Sequence, residues 1–431
     1  MNSYCQLIND WLLPLKVYIE KHKELLSTSS VFVLGVKYHK GIDVEQNFTE
    51  ALRLYKTVID QYQQTESKSQ DEYSCAMNNL GFMYYNGQGT IQDFKKAFEW
   101  YKKTSELGNP CGMNNLGDMY YNGKGTTQDY KKAFEWYEKA SDLRNSHGMI
   151  NLGDMYYNGQ ETTQDYKKAF EWYEKASESG NPIGMNILGN MYYNGQGTTQ
   201  DYKKAFEWYT KASKLGNSCG MNNLGFMYYN GQGPTQDYKK AFEWYTKASE
   251  LGNPCGMNNL GDSYYNGKGT TQDYKKAFEW YEKASELGNS YGMTNLGNMY
   301  YIGQGTTQDY KKAFEWYEKA SELENSYSMR NLGNMYYSGQ GTTQDYKKAF
   351  EWYYKSYNTN PNTEGIVDKL RYFLVNCPKS VFKDIVSDFF QYQQQYNELF
   401  IQYQELYYSP ENPGYKDAKL HFEEQFKLSL T

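Results

Sequence analysis

The sequence lacks the features that would place it in a membrane or on nucleic acid. No run of apolar residues approaches the roughly 18 that a helix needs to cross a bilayer, so no membrane span is predicted. The net charge of -6 is spread along the chain without a basic cluster, so we expect no nucleic-acid partner. The first residues carry neither a basic segment nor a small-residue cleavage site. They are interpreted as a helix rather than a signal peptide, and a cytoplasmic location is predicted.

Residues that commonly build catalytic and metal sites are sparse. The four histidines are scattered, and no Cys-x-x-Cys or His-x-x-x-His pair occurs. We therefore predict no catalytic residues, no metal site and no cofactor, and expect that the chain is not an enzyme. The histidines are His22, His39, His147 and His421.

The six cysteines do not form a disulfide framework. Four of them occupy one phase of a 36-residue repeat, so consecutive members lie roughly one packed helix pair apart, about 8–10 Å. This separation exceeds the ~7 Å between Cα atoms that a disulfide can bridge. All six thiols are therefore predicted to be free. The four in-phase cysteines are Cys75, Cys111, Cys219 and Cys255, and the others are Cys5 and Cys377.

Aromatic residues are abundant, at 18% of the chain with 48 tyrosines. Disordered chains lack so much large apolar surface, and a folded protein is predicted despite the mean hydropathy of -0.91. The stretch "MYYNGQGTTQDYKKAFEWY" at residues 191–209 recurs in near-copies along the chain. The dipeptide Leu-Gly marks the period of 36, with Gly81, Gly117, Gly153, Gly189, Gly225, Gly261, Gly297 and Gly333.

Each unit is predicted to be a helix, a turn and a second helix. Asn109 is an N-cap followed by Pro110 at the first helical position, and this first helix, helix A, stops at Gly123. Asp129 caps the second helix, helix B, which most copies end with a left-handed glycine such as Gly108.

Apolar residues fall on one face of each helix, and neither helix can bury that face alone. Glycine within helix A costs roughly 1 kcal/mol relative to alanine, so the Leu-Gly glycine indicates a close approach between helices. Stacked neighbouring units can bury both faces, which is the arrangement of a solenoid. The predicted faces are Met113, Leu116, Gly117 and Tyr120 on helix A, and Tyr130, Ala133, Phe134, Tyr137 and Ala140 on helix B.

Irregular segments flank the regular array. Gly35, Tyr38 and Tyr55 repeat the spacing of Gly81, Tyr84 and Tyr101, which indicates a ninth, degenerate unit. Apolar residues at helical spacing over residues 380–408 predict a long amphipathic helix that caps the array. The predicted segments are 1–30, an N-terminal helical cap; 31–72, a degenerate repeat with an insertion; 73–360, eight repeats; and 361–431, a C-terminal helical cap region.

The repeat closely resembles Sel-one-like repeats (SLR), which are relatives of tetratricopeptide repeats. The resemblance covers residues 73–360 and extends to about residue 31. It implies a right-handed α-solenoid in which helix A lines the concave surface, and an adaptor or scaffold role in assembling protein complexes. Glu161 replaces a loop glycine of the family pattern, and we expect an altered turn there. In one copy the matching residues are Leu188-Gly189, Tyr192, Gly195, Gly197, Asp201, Ala205, Trp208, Tyr209 and Ala212.

Four positions of helix A, spaced by three, four and three residues, fall on one helical stripe away from the Leu-Gly face. We call this the outer stripe. Position 1 is Cys75, Cys111, His147, Ile183, Cys219, Cys255, Tyr291 and Tyr327. Position 2 is Asn78, Asn114, Ile150, Asn186, Asn222, Asn258, Thr294 and Arg330. Position 3 is Phe82, Asp118, Asp154, Asn190, Phe226, Asp262, Asn298 and Asn334. Position 4 is always tyrosine: Tyr85, Tyr121, Tyr157, Tyr193, Tyr229, Tyr265, Tyr301 and Tyr337.

The resemblance places the outer stripe in the concave groove, where tyrosine and amide side chains suit an extended peptide. A monomer with a protein or peptide partner is predicted. The open alternatives are drift at the variable positions, packing of the fixed tyrosine on the next repeat, a carbohydrate-binding module that uses the tyrosines, and an enzyme with its site in the C-terminal region. The candidate binding residues are Asn78, Phe82, Tyr85, Asn114, Asp118, Tyr121, His147, Asp154, Tyr157, Asn190, Tyr193, Phe226, Tyr229, Asp262, Tyr265, Tyr301, Arg330 and Tyr337.

A longer period is also present, because residues 109–144 and 253–288 differ at only three positions. Residues 73–216 are therefore interpreted as a four-repeat block that is copied as 217–360. This duplication predicts two similar binding sites for one ligand class; duplication without function is the alternative. The first patch is Phe82, Asp118 and Tyr121, and the second is Phe226, Asp262 and Tyr265.

Overall fold

The computed structural model describes residues 28–65 and 70–376, and all regular elements within these ranges are α-helices. The chain divides into two compact units, unit 1 up to Asn217 and unit 2 from Ser218. The predicted N-terminal cap and the amphipathic helix at 380–408 lie almost entirely outside the described residues.

Unit 1 contains the degenerate repeat and repeats 1 to 4, each built from one helix A and one helix B. The four repeats are residues 73–108, 109–144, 145–180 and 181–216. Each helix packs against the next one along the chain. The helices are α1 (Thr28–Lys40), α2 (Phe48–Thr65), α3 (Gln70–Asn86), α4 (Phe94–Glu106), α5 (Pro110–Asn122), α6 (Tyr130–Asp142), α7 (Ser146–Asn158), α8 (Tyr166–Glu178), α9 (Pro182–Asn194) and α10 (Tyr202–Lys214).

Unit 2 contains repeats 5 to 8, which are residues 217–252, 253–288, 289–324 and 325–360, followed by a last helix. That helix buries Phe373 against Phe350 and Tyr353 of repeat 8. The helices are α11 (Ser218–Asn230), α12 (Tyr238–Glu250), α13 (Pro254–Asn266), α14 (Tyr274–Glu286), α15 (Ser290–Ile302), α16 (Tyr310–Glu322), α17 (Ser326–Ser338), α18 (Tyr346–Thr359) and α19 (Ile366–Asn376).

The predicted caps are confirmed in repeat 2. The Asn109 side chain accepts from the backbone N–H groups of Cys111 and Gly112, and Gly123 ends α5 with a φ of 64°. Asp129 accepts from the backbone N–H of Lys132 at the start of α6. These side chains satisfy backbone donors that the first helical turn leaves unpaired, so the sequence itself sets where each helix begins.

The Leu-Gly glycine makes room for a tyrosine of helix B, as its position in the helix predicted. A Cβ atom at Gly117 would lie 2.6 Å from the Tyr137 ring, and Gly35 has the same relation to Tyr55 in the degenerate repeat. Leu116 and Tyr137 are buried as predicted, whereas Met113 is half-buried. The fully buried methionine is Met119, which the sequence pattern did not single out.

The expected change of turn at Glu161 is wrong. Glu161 has a φ of 62°, in the same left-handed region as its counterpart Gly125 at 72°. The helices on either side begin and end at the same repeat positions as in other copies. The surrounding repeat therefore imposes a conformation that glutamate adopts only with strain.

Candidate functional site

Position 1 of the outer stripe faces solvent near the start of each helix A. Cys111, His147, Cys219 and Cys255 are exposed, and Ile183 and Tyr291 are apolar side chains that remain 45% and 58% accessible. Position 1 is cysteine in four repeats, tyrosine in two, and histidine and isoleucine in one each, so the exposed surface changes in size and chemistry along the array.

Position 2 takes part in an asparagine ladder that joins neighbouring A helices. In unit 1 the Asn115 side chain donates to Asn78 Oδ1 at 2.9 Å, and Asn151 donates to Asn114 Oδ1 at 3.0 Å. In unit 2 the corresponding bonds run from Asn259 to Asn222 at 2.9 Å and from Asn295 to Asn258 at 3.0 Å. The candidates Asn78 and Asn114 therefore bond the next repeat. The position that donates these bonds, such as Asn115 and Asn151, was not predicted from the sequence. The near-constant asparagine at this position was a usable signal.

The ladder changes chemistry at both partners together. In repeat 3, position 2 is Ile150, and the donor position of repeat 4 is Ile187; Ile187 packs against the cluster that contains the buried Ile150. In unit 2, position 2 becomes Thr294, whose hydroxyl lies 2.7 Å from the hydroxyl of Ser328. Ser328 is not at the donor position of the ladder; it replaces the glycine found at its place in repeats 2 to 7. The isoleucine pair is therefore a matched exchange of ladder partners that preserves packing.

Position 3 accepts the hydroxyl hydrogen of the helix B tyrosine that packs on the Leu-Gly glycine. Because that glycine lacks a side chain, the tyrosine ring crosses helix A and its hydroxyl reaches the next residue. The donor–acceptor distances range from 2.6 to 2.9 Å. The pairs are Tyr137–Asp118, Tyr173–Asp154 and Tyr209–Asn190 in unit 1, and Tyr281–Asp262, Tyr317–Asn298 and Tyr353–Asn334 in unit 2.

The acidic side chains at position 3 are held in a poorly solvated layer. Burial raises the pKa of Asp118 to about 6, against a lowering by the Tyr137 hydrogen bond. Burial likewise raises the pKa of Asp154 and of Asp262. Burial and the neighbouring carboxylate together raise the pKa of Tyr137. These carboxylates are structural members of a hydrogen-bonded layer beneath the exposed residues of position 1.

Phenylalanine occupies position 3 in the first repeat of each block. Phe82 is 44% accessible and Phe226 is 42% accessible, so both present apolar surface to solvent. In unit 1 the ring of His39, which stands at position 4 of the degenerate repeat, lies 5.9 Å from the Phe82 ring.

The fixed tyrosine at position 4 is half-buried and held at both ends. Its ring packs against the first residue of helix B, as Tyr121 does against Tyr130 at 5.2 Å. Its hydroxyl bonds a loop residue of the following repeat, as Tyr121 does to Gln160 at 2.7 Å. Packing on the next repeat therefore accounts for the constancy of this tyrosine. The same hydroxyl contact is made by Tyr85 to Lys124, Tyr157 to Gln196, Tyr229 to Lys268, Tyr265 to Gln304 and Tyr301 to Gln340.

A profile of the Sel1 repeat matches nine segments that together span most of the chain. They are residues 29–61, 76–109, 112–145, 146–181, 182–217, 220–253, 256–289, 290–325 and 326–358. The chain belongs to the Sel1 repeat family.

Two solved structures are similar to this chain, and the first has the same fold. A Sel1 repeat protein from Oxalobacter formigenes is 26% identical with a TM-score of 0.52, over 57% of this chain and 96% of that one. A protective antigen of uropathogenic Escherichia coli strains, which displays an SLR fold, is 28% identical with a TM-score of 0.44, over 84% of each chain. A comparison with curated proteins found no match.

Sel1 repeat proteins generally mediate protein–protein interactions and are typically non-enzymatic scaffolds. In residues 28–65 and 70–376 of this Sel1 repeat chain, no three His, Cys, Asp or Glu side chains are grouped as a metal ion would require. Across the same residues, none of the helices is both long and apolar enough to cross a membrane.

The in-phase cysteines of this Sel1 repeat chain are free and lie beside the N-cap of the next repeat. The Asn145 side chain lies 3.6 Å from Cys111 Sγ, and Asn289 lies 3.5 Å from Cys255 Sγ. Partial desolvation beside this N-cap raises the pKa of the Cys75, Cys111 and Cys255 thiols. These thiols are thus poorly suited to react as thiolates. Cys5 and Cys377 lie outside the described residues.

Arg330, a candidate at position 2 of repeat 8, bonds within unit 2. Its guanidinium donates to the backbone carbonyl of Glu364 and lies over the Tyr327 ring, 5.7 Å from the centroid. Arg330 therefore ties the last repeat to the segment that leads into α19.

Proposed function

We propose that the chain is a non-catalytic scaffold whose outer stripe binds an extended segment of a protein partner. One observation carries this proposal: exposed side chains that differ between repeats stand on a layer that is already locked by hydrogen bonds. Ile183 and Tyr291 are exposed, whereas the Asn114–Asn151 and Tyr137–Asp118 contacts beneath the same stripe are made within the protein. Such a surface loses little conformational entropy when a partner binds.

The chemistry of the stripe favours a peptide over a sugar. The tyrosines at position 4 are half-buried, with each ring against the first residue of helix B and each bonded hydroxyl held by the next repeat, as in Tyr121. Tyrosines fixed in this way supply rigid contact area to a peptide at low entropic cost. The alternative of an enzyme concerns the C-terminal region, most of which lies outside the described residues. The cytoplasmic location stays a prediction.

The test compares the stripe with the opposite surface in the full chain. Tagged protein is recovered from the native cell, and its partners are identified by mass spectrometry. Ile183→Arg combined with Tyr291→Arg places two charges on exposed stripe residues, and we expect a partner bound by the wild type to be lost.

The matched control, Glu138→Arg with Glu282→Arg, alters exposed residues of helix B and should retain that partner. Equal loss by both variants, or no protein partner at several salt concentrations, contradicts the proposal.

A further inference from the structure

Two positions depart from the hydrogen-bond pattern of the outer stripe in the same way in both units. At Phe82 and Phe226 the position 3 side chain offers no acceptor to the helix B tyrosines Tyr101 and Tyr245, which are each 3% exposed. Asparagine or aspartate would accept that hydroxyl hydrogen, as Asn190 does from Tyr209 at 2.7 Å. Each phenylalanine also leaves more than two fifths of its surface in water. The same exposed aromatic ring therefore occurs at the same place in both blocks, where a ligand can contact it.

A cation lies one helical turn further along the same stripe. Lys124 Nζ donates to the Tyr85 hydroxyl at 2.8 Å and lies 4.8 Å from the centre of that ring. In unit 2, Lys268 makes the same contacts to Tyr229, at 2.8 Å and 4.7 Å. The other full repeats carry glutamine at this loop position.

The two lysines are not neutralised by the part of the chain that the structure describes. None of the ion pairs among those residues includes Lys124 or Lys268. Both side chains are half-exposed. A carboxylate brought by a ligand can therefore reach the ammonium group without displacing an internal partner.

Phenylalanine and lysine occur together once in each unit. Phe82 and Tyr85 are three residues apart on α3, which is about one turn of helix. Lys124 is bonded to Tyr85, so the phenylalanine and the lysine lie about one turn apart. We call the two sets the Phe–Lys patches. They are Phe82, Tyr85 and Lys124 in unit 1, and Phe226, Tyr229 and Lys268 in unit 2.

We propose that each Phe–Lys patch binds a linear peptide segment in which an apolar side chain lies next to an acidic side chain. This inference rests on the proposed function and names its ligand class. The apolar side chain of the peptide covers the exposed phenylalanine ring, and its acidic group pairs with the lysine. The patch thus combines an apolar anchor with charge complementarity. One chain then binds two copies of the motif.

The experiment uses the full chain and a displayed library of random linear peptides. Enriched sequences are made as labelled monovalent peptides, and affinity and stoichiometry are measured. We expect enriched peptides to contain an apolar residue beside aspartate or glutamate, and the wild type to bind two copies per chain.

Each substitution restores the residue that other repeats carry. Phe82→Asn with Phe226→Asn supplies an acceptor to Tyr101 and Tyr245, so we expect a higher Tm together with a loss of affinity of at least about tenfold. Either single variant should bind one peptide. Lys124→Gln with Lys268→Gln keeps a partner for the tyrosine hydroxyl and removes the charge; about threefold weaker, less salt-dependent binding is expected.

A gain in stability with a loss of binding cannot come from unfolding, so the phenylalanine variants are decisive. Enriched peptides without acidic residues, an unchanged affinity in the phenylalanine double variant, or no enriched peptide at all overturns the inference. If the native partner is lost by the Ile183→Arg, Tyr291→Arg variant but retained by the phenylalanine double variant, the proposed function stands and this inference falls.

Discussion

A buried tyrosine hydroxyl requires an acceptor, and six of the eight regular repeats supply one at the residue after the Leu-Gly glycine. This requirement explains why position 3 is so often aspartate or asparagine. Aspartate meets it less well than asparagine, because a carboxylate in a poorly solvated layer is disfavoured in its charged form. Position 3 therefore combines a structural role with a built-in response to pH.

The free energy of unfolding should fall as pH rises through the acidic range because of Asp118. Its folded pKa of about 6 lies above the ordinary value of 3.8, so the folded protein holds the extra proton between these values. The contribution is present below about pH 4 and lost by about pH 6 to 7. Tyr137 and Tyr101 are the titratable groups facing it, and both stay protonated in this range.

The measurement compares Asp118→Asn with the wild type. Asparagine still accepts from Tyr137 but does not titrate, so the variant should gain about 2 kcal/mol relative to the wild type between pH 4 and pH 7. Urea unfolding at a series of pH values reports this difference. Asp142→Asn, on the exposed end of α6, should leave the wild-type profile in place. An Asp118→Asn profile parallel to that of the wild type refutes the assignment.

Glu161→Gly should stabilise the protein by about 1 kcal/mol. Left-handed backbone strains glutamate, and the equivalent glycines stand against backbone of the preceding repeat, as Gly125 does against Phe94. Arg144→Gly is the matched control, since Arg144 is also left-handed but its glycine counterparts meet open space. There the relief of strain is offset by the greater freedom of glycine in the unfolded chain. Equal shifts of the two midpoints in chemical denaturation would contradict this explanation.

At the scale of the helix, neighbouring A helices recognise each other through matched pairs. Asn115 with Asn78 is a polar pair, and Ile187 with Ile150 is an apolar one. A mixed pair would bury an amide against a hydrocarbon side chain, with neither a hydrogen bond nor good packing. Adjacent repeats are consequently complementary in chemistry as well as in shape.

The double substitution of the isoleucine pair should destabilise the protein by less than the sum of the two single substitutions. Ile150→Asn leaves a buried amide opposite Ile187, and we expect a loss of about 3 kcal/mol. Adding Ile187→Asn recreates the pair seen at Asn114 and Asn151, and a coupling energy of at least about 1 kcal/mol in favour of the double variant is expected. A double-mutant cycle from denaturant unfolding measures it; additive effects would mean that the two side chains do not interact.

Much of the element structure could be predicted because its causes are local. In repeat 2, Asn109 and Gly123 cap the two ends of α5, and Asp129 caps the start of α6. Each cap contacts backbone only a few residues away, so the caps can be recognised directly in the sequence. The role of Asp118 could not be predicted, because its partner Tyr137 lies on another helix and reaches it only through the gap at Gly117. Residue spacing shows that position 3 lies on the outer stripe. It does not show that the hydroxyl of a helix B tyrosine, which packs on the Leu-Gly face, reaches position 3.

At the scale of the molecule, each unit carries one copy of the same block of contacts. The Asn114–Asn151 and Tyr137–Asp118 bonds of unit 1 reappear at the same relative positions in unit 2. In a repeat array, stability is set by individual repeats and by the interfaces between neighbours. Repeats 2 and 6 therefore present equivalent surfaces to whichever repeat follows.

A chain that lacks residues 145–288 should still unfold in one cooperative transition. The deletion joins repeat 2 to repeat 7, and Asn114 then meets Asn295 as Asn258 does in unit 2. Removal of the single repeat 181–216 is the matched comparison, because it sets Ile150 opposite Asn223. We expect this shorter deletion to broaden or split the urea transition monitored by tryptophan fluorescence. A sharper transition for the single-repeat deletion would show that the pairs do not control coupling.

The Ile150–Ile187 pair limits which repeats a gene for this repeat array can lose or gain. Recombination between near-identical coding segments removes or adds whole repeats, and the reading frame survives every such event. An exchange that removes residues 145–288 takes out both isoleucines and leaves Asn114 with an asparagine partner, whereas loss of repeat 4 alone strands Ile150. Natural variants of this protein should therefore lose residues 145–288 more often than repeat 4 alone.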